Sequence, residues 1–190
     1  MQKIDFSPNR INLPKFMATQ LVVILFMIVF TYKWAFMFTT IHEQTFLANL
    51  LYGILGFIVI LGLHELIHRI SFFIFSRGEQ PHFKYKKGFL LVHISKKYFN
   101  KWQFCTIMLA PMFILTGVLM FILTGVLMFI FSIYAYSSII IMLSIHIGYC
   151  LIDLYLVGIT FTNKFEYIHP SDEGLIMYHQ RPIQANDEFE

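Results

Sequence analysis

The sequence predicts an all-α integral membrane protein with about four transmembrane helices and a short β-hairpin-like loop between the second and the third. Hydrophobic residues make up 57% of the 190 residues and charged residues 13%, against about half and about a quarter in soluble proteins. The apolar residues are gathered into long runs, and a run of about 20 is enough to cross a bilayer. The lipid bilayer is therefore the first expected partner.

The N-terminal arm, residues 1–16, is polar and basic. The apolar run after it, residues 17–38, is too long for the core of a signal peptide and lacks a small-residue cleavage site, so we expect it to remain as the first span. Lys33 and Trp34 lie near its far end, where such side chains reach the membrane interface.

The second predicted span, residues 46–76, is longer than a bilayer requires, so its end should project from the hydrocarbon or the helix should tilt. The only long polar connection comes next, at residues 77–101. Within it, residues 82–94 alternate partly around Lys87 and Gly88, which indicates a hairpin. A basic loop lying on lipid headgroups is the alternative.

Residues 104–131 and 137–160 are the third and fourth predicted spans. The third contains the octapeptide Phe-Ile-Leu-Thr-Gly-Val-Leu-Met twice in tandem, at 113–120 and 121–128. Eight residues rotate a helix by a net ~80°, so the two copies do not share a face. We interpret the repeat as a local duplication that lengthens or tilts the helix; a packing stripe formed by the glycine of each copy is the alternative.

The basic residues predict the orientation of the chain. The connection 77–101 holds seven Lys and Arg, the arm holds three, and the connections 39–45 and 132–136 hold none. The positive-inside rule then places both termini and the basic loop in the cytoplasm of a multi-pass protein of the cell membrane. The basic run is bounded by spans, so we interpret it as a topology signal and expect no nucleic acid as partner. The tail, residues 161–190, is polar and mostly acidic and is expected to stay solvated.

Two cysteines, Cys105 and Cys150, both lie in apolar runs. Their spacing fits neither a disulfide framework nor a cysteine zinc site. We expect two reduced thiols buried in the membrane.

The second span is interrupted by the polar residues of His64-Glu65-Leu-Ile-His68. On a helix the two histidines project from one face and can reach one metal ion, with Glu65 about 100° around the axis. This is the HExxH spacing of zinc hydrolases. The alternative is a pair of histidines bound to a neighbouring helix beside a snorkelling glutamate. It is disfavoured because ionisable groups inside a span are costly, of order 2.5–3.5 kcal/mol on insertion scales.

A catalytic zinc usually takes three protein ligands and leaves one position for water. Asp153 and Glu65 are the only acidic residues in the predicted spans. Counting helical rise places Asp153 ~24 Å and His64 ~27 Å along their spans, so the two can meet. Zinc with two neutral histidines, an aspartate and a hydroxide also carries no net charge. His146 would lie ~10 Å shallower, so we expect a polar neighbour or a substrate contact, with metal ligation as the alternative.

These residues carry a resemblance to a known family. The His64 to His68 segment, Leu109-Ala-Pro111 in the third span and the stretch from His146 to Asp153 resemble the bacterial family of putative zincin peptidases. That family is similar to the site-2 proteases, which are intramembrane zinc metalloproteases. The tail segment 169–174 also resembles the segment after the last span in that family.

The resemblance implies hydrolysis of peptide bonds in a membrane-protein or peptide substrate. Zn2+ held by His64, His68 and Asp153 would activate a water, with Glu65 as the general base and His146 as an oxyanion or polar partner. In site-2-like enzymes a hairpin beside the site offers an edge strand to substrate. The alternative is a catalytically silent membrane protein that binds or transports a divalent metal ion.

Overall fold

The structure is a computed structural model that describes residues 2–4, 13–38, 41–42, 45–78, 82–86, 90–123, 135–162, 165–171 and 174–180. In this part of the chain the helices are α1 (Leu13–Phe38), α2 (Phe46–Phe75), α3 (Lys101–Leu123), α4 (Ser137–Tyr149) and α5 (Leu151–Thr162). They provide four segments long and apolar enough to cross a membrane, since α4 and α5 together form the fourth. The predicted fold class is confirmed.

Local sequence explains where α2 and α3 begin. The Thr45 hydroxyl caps α2 by accepting from the Ala48 amide at 3.4 Å. At the start of α3, Asn100 and Gln103 bond reciprocally, side chain to backbone amide, at 2.8 and 3.0 Å. Both arrangements satisfy amides that lack partners in the first turn of a helix.

The fourth span is divided at Cys150, which forms a turn between α4 and α5. Backbone hydrogen bonds still cross the division, from the Cys150 amide to the His146 carbonyl and from the Leu154 amide to the Cys150 carbonyl, each at 3.0 Å. The two helices therefore follow one another closely, and the turn lies beside the polar residues of this span.

The described strands are β1 (Gln2–Ile4), β2 (Ile41–His42), β3 (His82–Lys86), β4 (Leu90–Ile94), β5 (Phe99–Asn100), β6 (Ala135–Tyr136), β7 (Tyr167–Ser171) and β8 (Gly174–Tyr178). A four-stranded antiparallel sheet has the order β1-β8-β7-β5. The strands β2 and β6 form a short parallel pair. By chain order the sheet lies at the end of the bundle where α1 begins and α5 ends, and the β2–β6 pair lies at the other end.

The predicted hairpin is confirmed as the antiparallel pair of β3 and β4, with His82 opposite Ile94 and Lys86 opposite Leu90. Its turn, residues 87–89, lies outside the described residues. The expectation that the tail stays solvated is wrong for its strands β7 and β8, which were not predicted. Their burial alternates, with Ile168 and Met177 fully covered.

Helix packing places α4 in the middle of the bundle. It contacts α1, α2 and α3, while α5 packs against α3. Glycines allow α2 to approach α4 closely: a Cβ at Gly53 would lie 2.8 Å from Ile141 and one at Gly56 2.6 Å from the Met142 sulfur. A larger residue at Gly53 would clash with the Cβ of Ile141 and push the two helices apart, whereas at Gly56 the flexible side chain of Met142 can shift.

The first octapeptide copy lies in α3, and the second runs past Leu123 out of the described residues. A Cβ at Gly117 of the first copy would meet no atom within 4 Å. This glycine therefore makes no close helix contact with the described residues, and the packing-stripe alternative gains no support from it. Gly125 of the second copy, the arm 5–12 and the acidic end 181–190 lie outside the described residues.

Candidate metal centre

Three polar side chains meet between α2 and α5. His64 and His68 project from one face of α2, and their Nε2 atoms are 3.1 Å apart. Asp153 comes from α5, with Oδ2 3.2 Å from His64 Nε2 and Oδ1 3.5 Å from His68 Nε2. Each of these residues is at most 4% exposed. The structure thus brings together the three residues that the sequence predicts as metal ligands.

The spacing of these donor atoms fits a zinc ion. Atoms bound tetrahedrally at about 2.0–2.1 Å from zinc lie about 3.3–3.4 Å from one another, and the three separations here are 3.1, 3.2 and 3.5 Å. Oδ2 of Asp153 is buried and makes no hydrogen bond with the described residues. Two imidazoles and a carboxylate are also a common set at catalytic zinc.

The other ring nitrogen of His68 has a backbone partner. Its Nδ1 lies 3.0 Å from the carbonyl oxygen of Ile107 in α3. A carbonyl can only accept, so His68 Nδ1 carries a proton, and Nε2, which lies beside Asp153, is the nitrogen left to bind a metal ion. Metal-binding histidines are commonly oriented in this way.

The other ring nitrogen of His64 has a side-chain partner. Its Nδ1 is 3.2 Å from His146 Nε2, and His146 Nδ1 is 3.5 Å from the Thr116 hydroxyl. His146 is therefore in direct contact with His64, on the opposite edge of the ring from Asp153. Helical rise alone separates the levels of His146 and Asp153 by ~10 Å along the axis, but side chains reach across such a distance, and His146 contacts His64.

Cys150 lies beside this second contact. Its sulfur is 3.5 Å from His146 Nε2 and 3.9 Å from His64 Nδ1, and the residue is fully buried. His64, His146 and Cys150 form a second group whose atoms are close enough to hold a metal ion. The two groups share His64 but use opposite nitrogens of its ring.

Glu65 points to a tyrosine that was not predicted from the sequence. The Tyr149 hydroxyl donates to Glu65 Oε1 at 3.0 Å, and the Tyr149 ring packs edge-on against the His64 ring with centroids 5.1 Å apart. The signal was present in the spacing, because Tyr149 stands three residues after His146 and four before Asp153. Helical periodicity brings such positions to one side of a span.

Comparison with known proteins gives one match. A family model described as putative zincin peptidase matches residues 57–165, more than half of the chain. The matched range covers α2 from Phe57 onward, α3, α4 and α5, and so includes every side chain placed at the centre. No curated protein and no solved structure matches the chain.

Proposed function

The chain belongs to the family of putative zincin peptidases, and from this premise we propose that it is a membrane-embedded zinc metalloprotease. The proposed ligands are His64, His68 and Asp153. The observation that carries the proposal is the convergence of two Nε2 atoms and a carboxylate at 3.1 to 3.5 Å from one another. A zinc ion held there would supply Lewis-acid chemistry, lowering the pKa of a water towards about 7 and polarising a carbonyl.

Glu65 is the proposed general base. It is half-buried beside the two histidines and is held at Oε1 by the Tyr149 hydroxyl. In the hydrolysis of a peptide bond, Glu65 accepts a proton from the attacking water and delivers it to the leaving amine. Tyr149 fixes the carboxylate for this transfer. For His146, the contact with His64 Nδ1 favours the role of polar partner over that of oxyanion donor.

Four spans make the chain a multi-pass membrane protein, and we propose the cell membrane with both termini cytoplasmic. The pairing of β1 with β8 supports termini on one side, because it joins the segment before α1 to the segment after α5. The basic connection between α2 and α3 supports the cytoplasmic side. His68 stands about 10 Å before the end of α2, so the proposed site lies near that face.

The proposed substrates are membrane or juxtamembrane segments. A transmembrane helix has its backbone groups already paired, so it must unwind before a peptide bond can react. Ser95, directly after the β3–β4 hairpin, connects it to the four-stranded sheet, because its amide donates to the Pro170 carbonyl of β7 at 3.1 Å. By similarity to site-2 proteases, the hairpin would offer an edge strand to the unwound segment.

A second candidate function is binding or transport of a divalent metal ion without catalysis. It is favoured by the second donor group, since Cys150, His146, His64 and Asp153 form a continuous row of ligating atoms through the buried interior. Polar rows of this kind also mark ion paths in membranes.

The substitution Glu65→Gln separates the two functions. If the chain is a protease, cleavage of membrane-inserted peptides in lipid vesicles should fall by about 10²–10⁴-fold, while the zinc content of the purified protein stays at the wild-type value. Glu166→Gln, at an exposed position outside the spans, is the matched control and should leave both quantities unchanged. Proteolysis that survives Glu65→Gln would refute the proposed mechanism.

A further inference from the structure

Pro111 occupies a position that a helix normally excludes. It lies in the interior of α3 and is buried. A proline there has no amide hydrogen and cannot donate to the carbonyl four residues earlier, so it weakens the helix. Such a residue calls for a compensating partner for the carbonyl that it leaves free.

The carbonyl that Pro111 leaves free belongs to Ile107, because helical hydrogen bonds join residue i to residue i−4. Ile107 is fully buried, so water does not reach its carbonyl readily. The side chain that contacts this oxygen is His68, whose Nδ1 lies 3.0 Å away. The proline in α3 and the histidine in α2 therefore meet at the same acceptor.

We propose that Pro111 is a positioning residue for the metal centre. Without an N–H at position 111, the Ile107 carbonyl is reserved for His68 Nδ1–H. A proton of the His68 ring is thereby held on Nδ1, and Nε2, beside Asp153 and His64, is left as the metal-binding nitrogen. The value of this arrangement for metal binding rests on the proposed function, whereas the position of the ring proton does not.

The test is Pro111→Ala, which restores the amide hydrogen and a competing donor for Ile107. Alanine is the best helix former, so the variant should fold and its thermal midpoint should not fall. Its affinity for zinc, measured by chelator competition, should nevertheless fall about 10-fold, the lower end of the range for loss of an outer partner. In metal-free protein labelled with 15N-histidine, His68 Nδ1 should be fully protonated in the wild type and only partly protonated in Pro111→Ala.

A backbone ester at position 111 distinguishes the effect of the missing amide hydrogen from the effect of the proline ring. Lactic acid incorporated in place of Pro111 has neither the ring nor an N–H, so it should restore wild-type zinc affinity and the Nδ1 proton. Met112→Ala changes the neighbouring side chain without adding a backbone donor, and both quantities should remain at wild-type values.

Two results would overturn the inference: unchanged zinc affinity and an unchanged His68 proton in Pro111→Ala, or an ester variant as impaired as Pro111→Ala. Wild-type protein that binds no zinc would instead refute the proposed function. The 15N measurement on metal-free protein would still decide the role of Pro111 in that case.

Discussion

The two histidines of the HExxH segment are oriented by different kinds of partner. His64 is held through Nδ1 by a row of side chains, His146 and then Thr116. His68 is held through Nδ1 by the backbone carbonyl of Ile107. The orientation of the His64 ring therefore depends on side chains that a single substitution can remove. The orientation of the His68 ring depends on a backbone carbonyl of α3, which a substitution cannot remove.

The largest expected effect comes from the residue that both histidines share. Asp153→Ala removes the carboxylate that lies against both Nε2 atoms. Loss of a residue that only supports a ligand lowers metal affinity by about 10–100-fold. Zinc affinity should fall by more than this in Asp153→Ala, and cleavage should be lost. Metal analysis of the purified protein checks this. Full zinc occupancy in the variant would show that Asp153 is not a ligand, and the two histidines would then share no carboxylate at the metal.

The next effect concerns the side-chain partner of His64 alone. His146→Leu removes the hydrogen-bond partner of His64 Nδ1, and zinc affinity should weaken by about 10–100-fold. His146→Gln keeps an acceptor on a flexible chain and should recover part of that loss. Equal affinities of the leucine variant and the wild type would show that His64 needs no side-chain partner. If the wild type binds two equivalents of metal and His146→Leu binds only one, His146 is instead a metal ligand.

The smallest effect is expected one step further along the row. Thr116→Val keeps the shape of the side chain and removes only its hydroxyl, so zinc affinity should fall about threefold, as for a single neutral hydrogen bond. Chelator competition measures it. Thr31→Val is the control, because Thr31 is a buried threonine whose hydroxyl bonds to the Met27 and Ile28 carbonyls and to Ser144. If zinc affinity falls no more in Thr116→Val than in Thr31→Val, Thr116 does not contribute to the orientation of His64.

Much of the fold could be predicted because the bilayer imposes a simple rule on composition. Apolar runs of sufficient length predicted the four spans, and the Lys87-Gly88 pattern predicted the hairpin. The strands β7 and β8 pair mainly with each other, from Tyr167 opposite Tyr178 to Ser171 opposite Gly174, and this local hairpin was missed because the tail was interpreted as a solvated acidic segment. Their outer partners, Phe99 and Asn100 for β7 and Gln2 to Ile4 for β8, lie far away in the chain. Short strands have no local signal strong enough to reveal such partners.

At the site, the helical spacing of His64 and His68 and the depth of Asp153 predicted which side chains would meet. The partners of the two Nδ1 atoms could not be found in this way. His146 meets His64 because of how α4 packs against α2, which axis counting does not describe. The Ile107 carbonyl belongs to the backbone, so the identity of residue 107 does not reveal it. Pro111 was the residue that could have indicated it, but in the sequence this proline was interpreted as part of a family resemblance and not as the cause of a free carbonyl.

The sheet also has a consequence for biosynthesis. The strand β8 follows α5 in the chain and pairs with β1, which precedes α1, so the ribosome makes β8 only after all four spans. Phe72 of α2, one turn beyond His68, packs with Phe99, Ile168 and Met177 in the cluster beneath this sheet. Closure of the sheet therefore waits for complete synthesis of the spans, and the end of the helix that carries both histidines is covered only in a fully made chain.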